Sequence, residues 1–376
     1  MGKNMSTEAH HSDRQFVLYI GILIVLGLAI LTSASGPLGY YSSVAHDSYF
    51  FVKRQLLFGL LPGSILFLLS ARVPYAWWKK LAWVLYGCAV TLLIIVFIPQ
   101  VGLTINGSHS WLSVFGFTFQ PAELAKVALV VVLAALLGGR KRDWDDWQTH
   151  LVPILMVAGL PLLLILLQGD LGSATILGVI TLVMLYVAHV PRYHLGIICL
   201  VAAAAGTLLI IVAPHRLNRV LLFINPNLVT EEKYRYQIDQ ASLAVGSGGV
   251  WGLGFGHSRQ KFQYLPEVNA DSIFAIFAEE NGFVGCVVFL FLLMLIGWRG
   301  LKIAASAPDD MGKLLATGVM VWFMWQSFLN IGGIVRAVPL TGVPLPLVSH
   351  GGSAYMMMLG ALGIVVGVSK TMKVRD

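Results

Sequence analysis

Long apolar runs separated by short polar connectors dominate the chain. We locate about ten runs, near 17–35, 55–73, 81–99, 121–139, 150–168, 172–190, 194–213, 271–298, 314–333 and 351–369. A hydrocarbon core about 30 Å thick is spanned by roughly 20 helical residues, so the pattern predicts an all-α polytopic membrane protein with about ten transmembrane helices. The long polar interruption at 215–270 falls between the seventh and eighth predicted helices, where we expect a large extracytoplasmic loop.

Composition and charge agree with this class. Hydrophobic residues make up 57% of the chain and charged residues 11%, which lies outside the range of soluble globular domains. Lys and Arg cluster at both ends and in alternate short loops, whereas the opposite short loops hold only Lys53, Arg54 and Arg336. By the positive-inside rule, both termini are predicted to be cytoplasmic and segment 215–270 to lie outside.

The domain organisation follows from the same pattern. We expect a cytoplasmic tail at 1–16, a single transmembrane domain at 17–369 and a second cytoplasmic tail at 370–376. The first apolar run has no clear cleavage site at its end, so we interpret it as a retained helix. The three cysteines all lie in apolar runs and indicate neither a disulfide framework nor a metal site.

Carboxylates at and inside the eighth apolar run are the main candidates for chemistry. Asp271 lies at the mouth of the run, and Glu279 and Glu280 lie further in. A charge at the bilayer centre costs about 2.5–3.5 kcal/mol, so such residues are expected to face a protein interior or a water-filled site. In a regular helix Glu279 is about 80° from Asp271 and Glu280 about 180°. We therefore predict that Glu279 faces nearer the cavity, where it can meet Lys126, and that Glu280 contacts another helix.

Two further pairs of polar residues occur inside predicted helices. Glu123 and Lys126, three residues apart, share a face and can pair. This is either a structural ion pair or a means of placing Lys126 beneath an anionic substrate. Gln326 and Asn330 share a face of the ninth run, which favours hydrogen bonds between helices. Asp271 also suits a helix N-cap, a role compatible with catalysis.

The polar segment 215–270 has features suited to an anionic ligand. Arg216 and Arg219 share a predicted helix face, Lys261 follows, and residues 246–256 are rich in glycine. Arginine binds phosphate with paired donors, and glycine lets backbone N–H groups approach a ligand. A flexible loop without a ligand is the alternative for the glycines. The spacing of a nucleotide-binding loop is absent, so a lipid-linked phosphate or pyrophosphate fits better.

Several motifs in order carry a family resemblance. They are Gln120-Pro-Ala-Glu-Leu-Ala-Lys126, the run from Gly252 to Glu267, and a carboxyl-terminal signature of Asn330, Arg336, Pro339, Gly342, Pro344, Ser349, Gly351, Gly352 and Ser353. Together they resemble the SEDS (shape, elongation, division and sporulation) family of peptidoglycan glycosyltransferases, of the RodA and FtsW type, with a tilt to FtsW. The family acid occurs as Thr-Asp-Phe, whereas here Ala270 and Ser272 flank Asp271.

The resemblance implies an activity and a site. Such proteins polymerise lipid II into glycan strands at the outer face of the bacterial cytoplasmic (inner) membrane, in cell division or elongation, and release undecaprenyl pyrophosphate. Asp271 is then the expected general base, and a second set of residues is expected to bind substrate or support the site: Glu123, Lys126, Arg216, Arg219, Lys261, Glu279, Gln326 and Ser349. A divalent cation, Mg²⁺ or Mn²⁺, can bridge such an acid to pyrophosphate, but one carboxylate does not establish a metal site.

The resemblance also implies partners, and two rival functions remain open. The expected partners are a class B penicillin-binding protein, which supplies transpeptidation, and other divisome or elongasome membrane proteins. No nucleic acid is expected. A lipid II flippase would move the lipid across vesicles without forming polymer. A membrane scaffold that recruits a penicillin-binding protein would tolerate the loss of Asp271.

Overall fold

In the computed structural model, residues 13–42, 46–105, 108–114, 117–139, 143–144, 146–212, 214–224 and 232–371 are described. Within these ranges, the side chains at 105, 114, 117, 214–216 and 232–234 are not described. The predicted tails at 1–16 and 370–376 therefore lie largely outside the described residues.

Helices occupy every predicted apolar run. Their bounds are α1 Arg14–Tyr40, α2 Phe50–Gln55, a π-helical turn Leu56–Leu60, α3 Leu61–Arg72, α4 Ala76–Ile95, α5 Pro121–Leu137, α6 Trp147–His150, α7 Val152–Leu167, α8 Leu171–Val187, α9 Arg192–Val212, α10 Pro214–Ile224, α11 Glu232–Ser247, α12 Ile273–Ala305, α13 Asp310–Ile334 and α14 Gly352–Ser369. Among the described residues, seven helical stretches are long and apolar enough to cross a membrane, and α7 and α8 are shorter apolar helices. The fold is that of a mostly helical polytopic membrane protein, and the number of ten spans stays a prediction.

A small sheet lies in the chain between α4 and α5, in addition to the predicted helices. Strands β1 Gly102–Ile105, β2 Ser108–Val114 and β3 Phe117–Phe119 form an antiparallel meander in that order. Leu103 pairs with Trp111, and Leu112 pairs with Phe119. The backbone N–H of His109 donates to Gln168 O at 3.0 Å, which fixes β2 to the end of α7.

Helices α13 and α14 form the centre of the bundle, and α9 lies at its edge. In the most apolar window of each helix, 78% of residues are buried in α13 and α14, whereas none is buried in α9. Helices α3 and α14 approach closely, since a Cβ at Gly363 would meet the backbone of Phe67. Small residues permit such contacts in membrane proteins, where packing rather than exclusion of water holds helices together.

Helix α12 is broken near its start by Gly282. This residue has φ 65° and ψ −168°, a conformation essentially restricted to glycine. Backbone groups at membrane depth must be satisfied within the protein. The groups beside the break bond to the chain at 249–254: Leu253 N to Glu279 O (3.0 Å), Gly254 N to Glu280 O (3.0 Å), Phe283 N to Gly249 O (2.9 Å) and Val284 N to Val250 O (3.1 Å).

The glycine-rich segment 246–256 therefore packs against α12. A Cβ at Gly248 would meet the carbonyl oxygen of Ala278, and one at Gly252 would meet that of Glu280. Both glycines permit close approach of two backbone segments. Gly248 and Gly252 therefore form an ordered contact within the protein, rather than part of a ligand-binding loop or of a flexible loop.

We predict that Gly282→Ala destabilises the protein by at least about 2 kcal/mol, because the new Cβ would be strained and would meet the backbone of 250–252. Thermal unfolding in detergent measures the change. The matched control is Gly87→Ala, since a Cβ at this exposed helical glycine meets nothing within 4 Å. An equal melting temperature for Gly282→Ala and the wild type would contradict the break.

Candidate functional site

Asp271 lies in the turn that leads into α12, and its side chain reaches a small pocket. Helices α10 and α11 and the chain between α13 and α14 contribute the walls. The pocket is lined by Arg219, Leu222, Gln237, Ile238, Asp271, Leu340 and Gly342. The acid predicted from sequence thus shares a pocket with one of the predicted arginines.

The surroundings of Asp271 favour its protonated form. Burial, followed by the negative charge of Glu267, raises the pKa of Asp271 to about 7, against the opposing effects of Arg219 and Gln237. The amide Nε2 of Gln237 lies 3.4 Å from Asp271 Oδ1. A carboxyl group that titrates near neutral pH can accept a proton from a hydroxyl more readily than an ordinary aspartate. The pocket therefore suits general base catalysis.

The backbone around Asp271 is held at three consecutive carbonyl groups. Two donors belong to the carboxyl-terminal signature and the third, His350, lies between two of its members. The bonds are His350 N to Asn269 O (2.7 Å), Ser349 Oγ to Ala270 O (2.5 Å) and Asn330 Nδ2 to Asp271 O (2.8 Å). Ser349 Oγ also accepts from Leu345 N at 2.8 Å. Ser349 thus supports the turn that carries the acid.

The predicted pair of Glu123 and Lys126 is confirmed. Lys126 Nζ lies 2.6 Å from Glu123 Oε1, and each side chain is 1% exposed. The ammonium also donates to Gln326 Oε1 at 3.1 Å and lies 5.0 Å from the ring centroid of Trp322. Gln326 Nε2 donates to Pro344 O at 2.9 Å, so the predicted interhelical role of Gln326 is confirmed and extends to the loop before Ser349. The predicted contact of Lys126 with substrate stays a prediction.

The predicted meeting of Glu279 and Lys126 is wrong. The carboxylate of Glu279 accepts from the Ser258 hydroxyl and from the backbone N–H groups of Arg259 and Gln260. Glu279 therefore holds the segment that precedes Asp271 in the chain. Regular helix geometry does not predict this contact of Glu279, because the chain at 258–260 folds back against the start of α12.

Glu280 does contact another helix, as predicted. Ser33 of α1 donates to Glu280 Oε1 at 2.6 Å, and Lys261 Nζ lies 2.8 Å from the same oxygen. Lys261 is 4% exposed and also donates to Ser33 Oγ at 3.1 Å. This arrangement joins α1, α12 and the polar segment in one buried cluster. A contact between Lys261 and pyrophosphate stays a prediction, and it requires release from Glu280.

Of the two predicted arginines, only Arg219 has a described side chain. Arg219 lines the Asp271 pocket, and its charge acts on that carboxyl group. The side chain of Arg216 lies outside the described residues. In the described part of the chain, no three His, Cys, Asp or Glu side chains come together as metal ligands. Asp271 and nearby Glu267 could provide only the one or two carboxylates that Mg²⁺ takes alongside substrate phosphates.

Sequence reasoning missed several partners of these acids. Gln237 is 34 residues from Asp271, and Ser33 is 247 residues from Glu280. No local pattern joins such residues. A polar serine inside an apolar run was the available signal for Ser33, since hydrogen bonds between helices use such side chains.

Comparison with known proteins decides the family. The family model FTSW_RODA_SPOVE, described as "Cell cycle protein", matches residues 14–374. The chain belongs to the FtsW/RodA/SpoVE family. Stage V sporulation protein E of Bacillus subtilis (strain 168) is 37% identical over 368 residues, covering 97% of this chain and 99% of that protein. A probable peptidoglycan glycosyltransferase FtsW of Geobacter sp. (strain M18) is 34% identical over 359 residues, covering 93% and 97%.

Solved structures of this family share the fold. Thermus thermophilus rod shape determining protein RodA matches with a TM-score of 0.71 and 28% identity over 97% of this chain and 98% of that chain. A chain from work on the structural coordination of polymerization and crosslinking by a peptidoglycan synthase complex matches with a TM-score of 0.77 and 28% identity, covering 95% and 97%. The FtsW/RodA/SpoVE fold thus extends over nearly the whole chain.

The observed ion pairs predict which charged residues are energetically coupled and which are not. In a double-mutant cycle, Lys261→Met and Glu280→Gln should show a coupling energy of about 0.5–3 kcal/mol, because the two side chains are in direct contact. The control cycle is Lys126→Met with Glu279→Gln, which should be additive within about 0.5 kcal/mol. Unfolding free energies in detergent give both values. Coupling in the control cycle and additivity in the first would contradict the pairing.

Proposed function

We propose that this protein is a peptidoglycan glycosyltransferase that polymerises lipid II into glycan strands at the outer face of the bacterial cytoplasmic membrane. The observation that carries the proposal is the Asp271 carboxyl group, whose pKa is raised to about 7, in a pocket shared with Arg219. Membership of the FtsW/RodA/SpoVE family and relatives named as probable peptidoglycan glycosyltransferases support the reaction class.

The reaction transfers one glycosyl group. An acceptor sugar hydroxyl of one substrate attacks the anomeric carbon of the other, and the bond from that carbon to the pyrophosphate oxygen breaks. Asp271 accepts the hydroxyl proton as the new glycosidic bond forms, and undecaprenyl pyrophosphate leaves with the electron pair. A positioned base contributes about 10²–10⁴ in rate. The protonated Asp271 then returns its proton to water.

Arg219 is the cation best placed to face the leaving group. It lines the same pocket as Asp271, whereas neither Lys126 nor Lys261 is among the described residues that line this pocket. A guanidinium binds the oxygens of pyrophosphate with paired donors. We assign Arg219 to the pyrophosphate, with Arg216 as its expected neighbour on α10.

The proposal includes an orientation and a partner. Both termini are cytoplasmic, which the distribution of Lys and Arg favours, and the segment between α9 and α12 then faces outward. A class B penicillin-binding protein is the proposed partner, supported by the similarity to a chain from a peptidoglycan synthase complex. Whether a divalent cation assists is tested by assaying the purified protein with and without a chelator.

The pH dependence follows from the raised pKa of Asp271. A base must be deprotonated to act, and below about pH 7 this carboxyl group is mostly protonated. We predict that kcat/KM for lipid II falls roughly tenfold per pH unit below about 7 and is level above it. Initial rates of polymer formation between about pH 5 and pH 8 measure the profile. An acid limb centred near pH 4 would contradict a buried base.

Removal of the base tests the assignment directly. We predict that Asp271→Asn lowers kcat by about 10²–10⁴, because an amide cannot take the hydroxyl proton. Purified protein and lipid II provide the assay. Asp47→Asn is the matched control, since Asp47 forms an exposed ion pair with Lys53. Unchanged polymerisation by Asp271→Asn would remove the assignment.

A further inference from the structure

A buried glutamine at the end of α2 faces the loop that holds the Asp271 turn. Gln55 is 0% exposed and immediately precedes the π-helical turn Leu56–Leu60. π-Helical turns within longer helices frequently occur at functional sites. Sequence reasoning gave Gln55 no role.

The side-chain amide of Gln55 bridges two backbone groups of the same loop. Gly351 N donates to Gln55 Oε1 at 3.1 Å, and Gln55 Nε2 donates to Ser349 O at 3.4 Å. Phe51 lies one turn earlier on α2, and its ring contacts that of His350 at a centroid distance of 5.3 Å. Helix α2 therefore contacts the loop 349–351 at each of its three residues.

The same loop is bonded on its other side to the Asp271 turn. Ser349 Oγ and His350 N donate to the two carbonyl groups that directly precede Asp271 in the chain. The loop 349–351 is thus bonded to Gln55 on one side and to the backbone that precedes the acid on the other, so it links the two. Each of these bonds joins segments that are far apart in the chain and holds one backbone group.

The geometry points to Gln55 as a positioning residue for the general base. Its amide supplies a donor and an acceptor together, which the loop requires, and no apolar side chain of similar length supplies either. Loss of the bridge would leave the loop held at fewer points and would let the Asp271 turn shift. Catalysis is sensitive to such shifts, since a displacement of about 1 Å can cost about 10²-fold in rate.

A neighbouring glycine gives independent support for this role. A Cβ at Gly59 would lie 3.3 Å from the Gln55 amide and 3.4 Å from Tyr355 Cβ. The absence of a side chain at Gly59 leaves room for the amide to lie against the π-helical turn. Gly59→Ala is therefore a second, milder way to displace Gln55 without altering any polar group.

The test compares Gln55→Met with Gln168→Met in purified, folded protein. Gln168 is a matched control because it is also a buried amide, 3% exposed, that donates to a backbone carbonyl, that of Leu93, at 2.8 Å. We expect Gln55→Met to lower kcat by about 10–100-fold with KM for lipid II within about twofold of the wild type. Gln168→Met should lower the melting temperature similarly and leave kcat per folded protein within about twofold.

The outcomes separate this inference from the proposed function on which it rests. A kcat for Gln55→Met within about twofold of the wild type, or a raised KM with unchanged kcat, overturns the positioning role while the wild type still polymerises lipid II. A wild type that forms no polymer overturns the proposed function itself. If Gln55→Met does not fold, Gly59→Ala decides: a kcat lowered by about threefold or more supports the role, and an unchanged kcat overturns it.

Discussion

Backbone polar groups inside a membrane protein must find partners within the protein, and this constraint shapes everything around Asp271. The chain departs from regular helix at Gly282 and again in the turn at 269–272. At both places protein donors replace the missing helical hydrogen bonds. An unsatisfied group in hydrocarbon costs several kcal/mol, so these donors fix the path of the chain.

The same constraint sorts the charged residues into two kinds. Glu123 with Lys126 and Glu280 with Lys261 form buried pairs in which opposite charges offset the cost of leaving water. Asp271 is different, because its pocket raises its pKa while Arg219 supplies only part of the compensation. Perturbed groups of this type are typical of functional sites. The buried pairs organise the bundle and Glu279 holds the chain at 258–260, whereas Asp271 opens onto a pocket.

Much of the fold follows from the sequence, because each membrane helix corresponds to one continuous apolar run. The runs near 17–35 and 314–333 became α1 and α13 with only shifted ends. The pair of Glu123 and Lys126 was equally accessible, since residues three apart on a helix are neighbours. The sheet at 102–119 could not be predicted from the sequence, because its strands are short and strand pairing has no helical periodicity.

The contacts of Glu279 show where sequence reasoning ends. Regular helix geometry predicted that Glu279 faces Lys126. In the structure the chain at 258–260 folds back and supplies three hydrogen-bond donors to Glu279 instead. The bridge from Gln55 to the Asp271 turn joins three separate parts of the chain and has no local signature either. Long-range backbone contacts of this kind depend on the assembled bundle, so only the structure reveals them.

We infer that Asp271 acts on lipid-linked sugar at an outward-facing pocket. The most direct measurement uses sealed proteoliposomes whose carboxyl terminus is enclosed, with lipid II supplied only from the outside medium and no energy source. We expect glycan polymer to form from this external substrate alone. Absence of polymer together with movement of the lipid to the inner leaflet would contradict it and would favour a transporter.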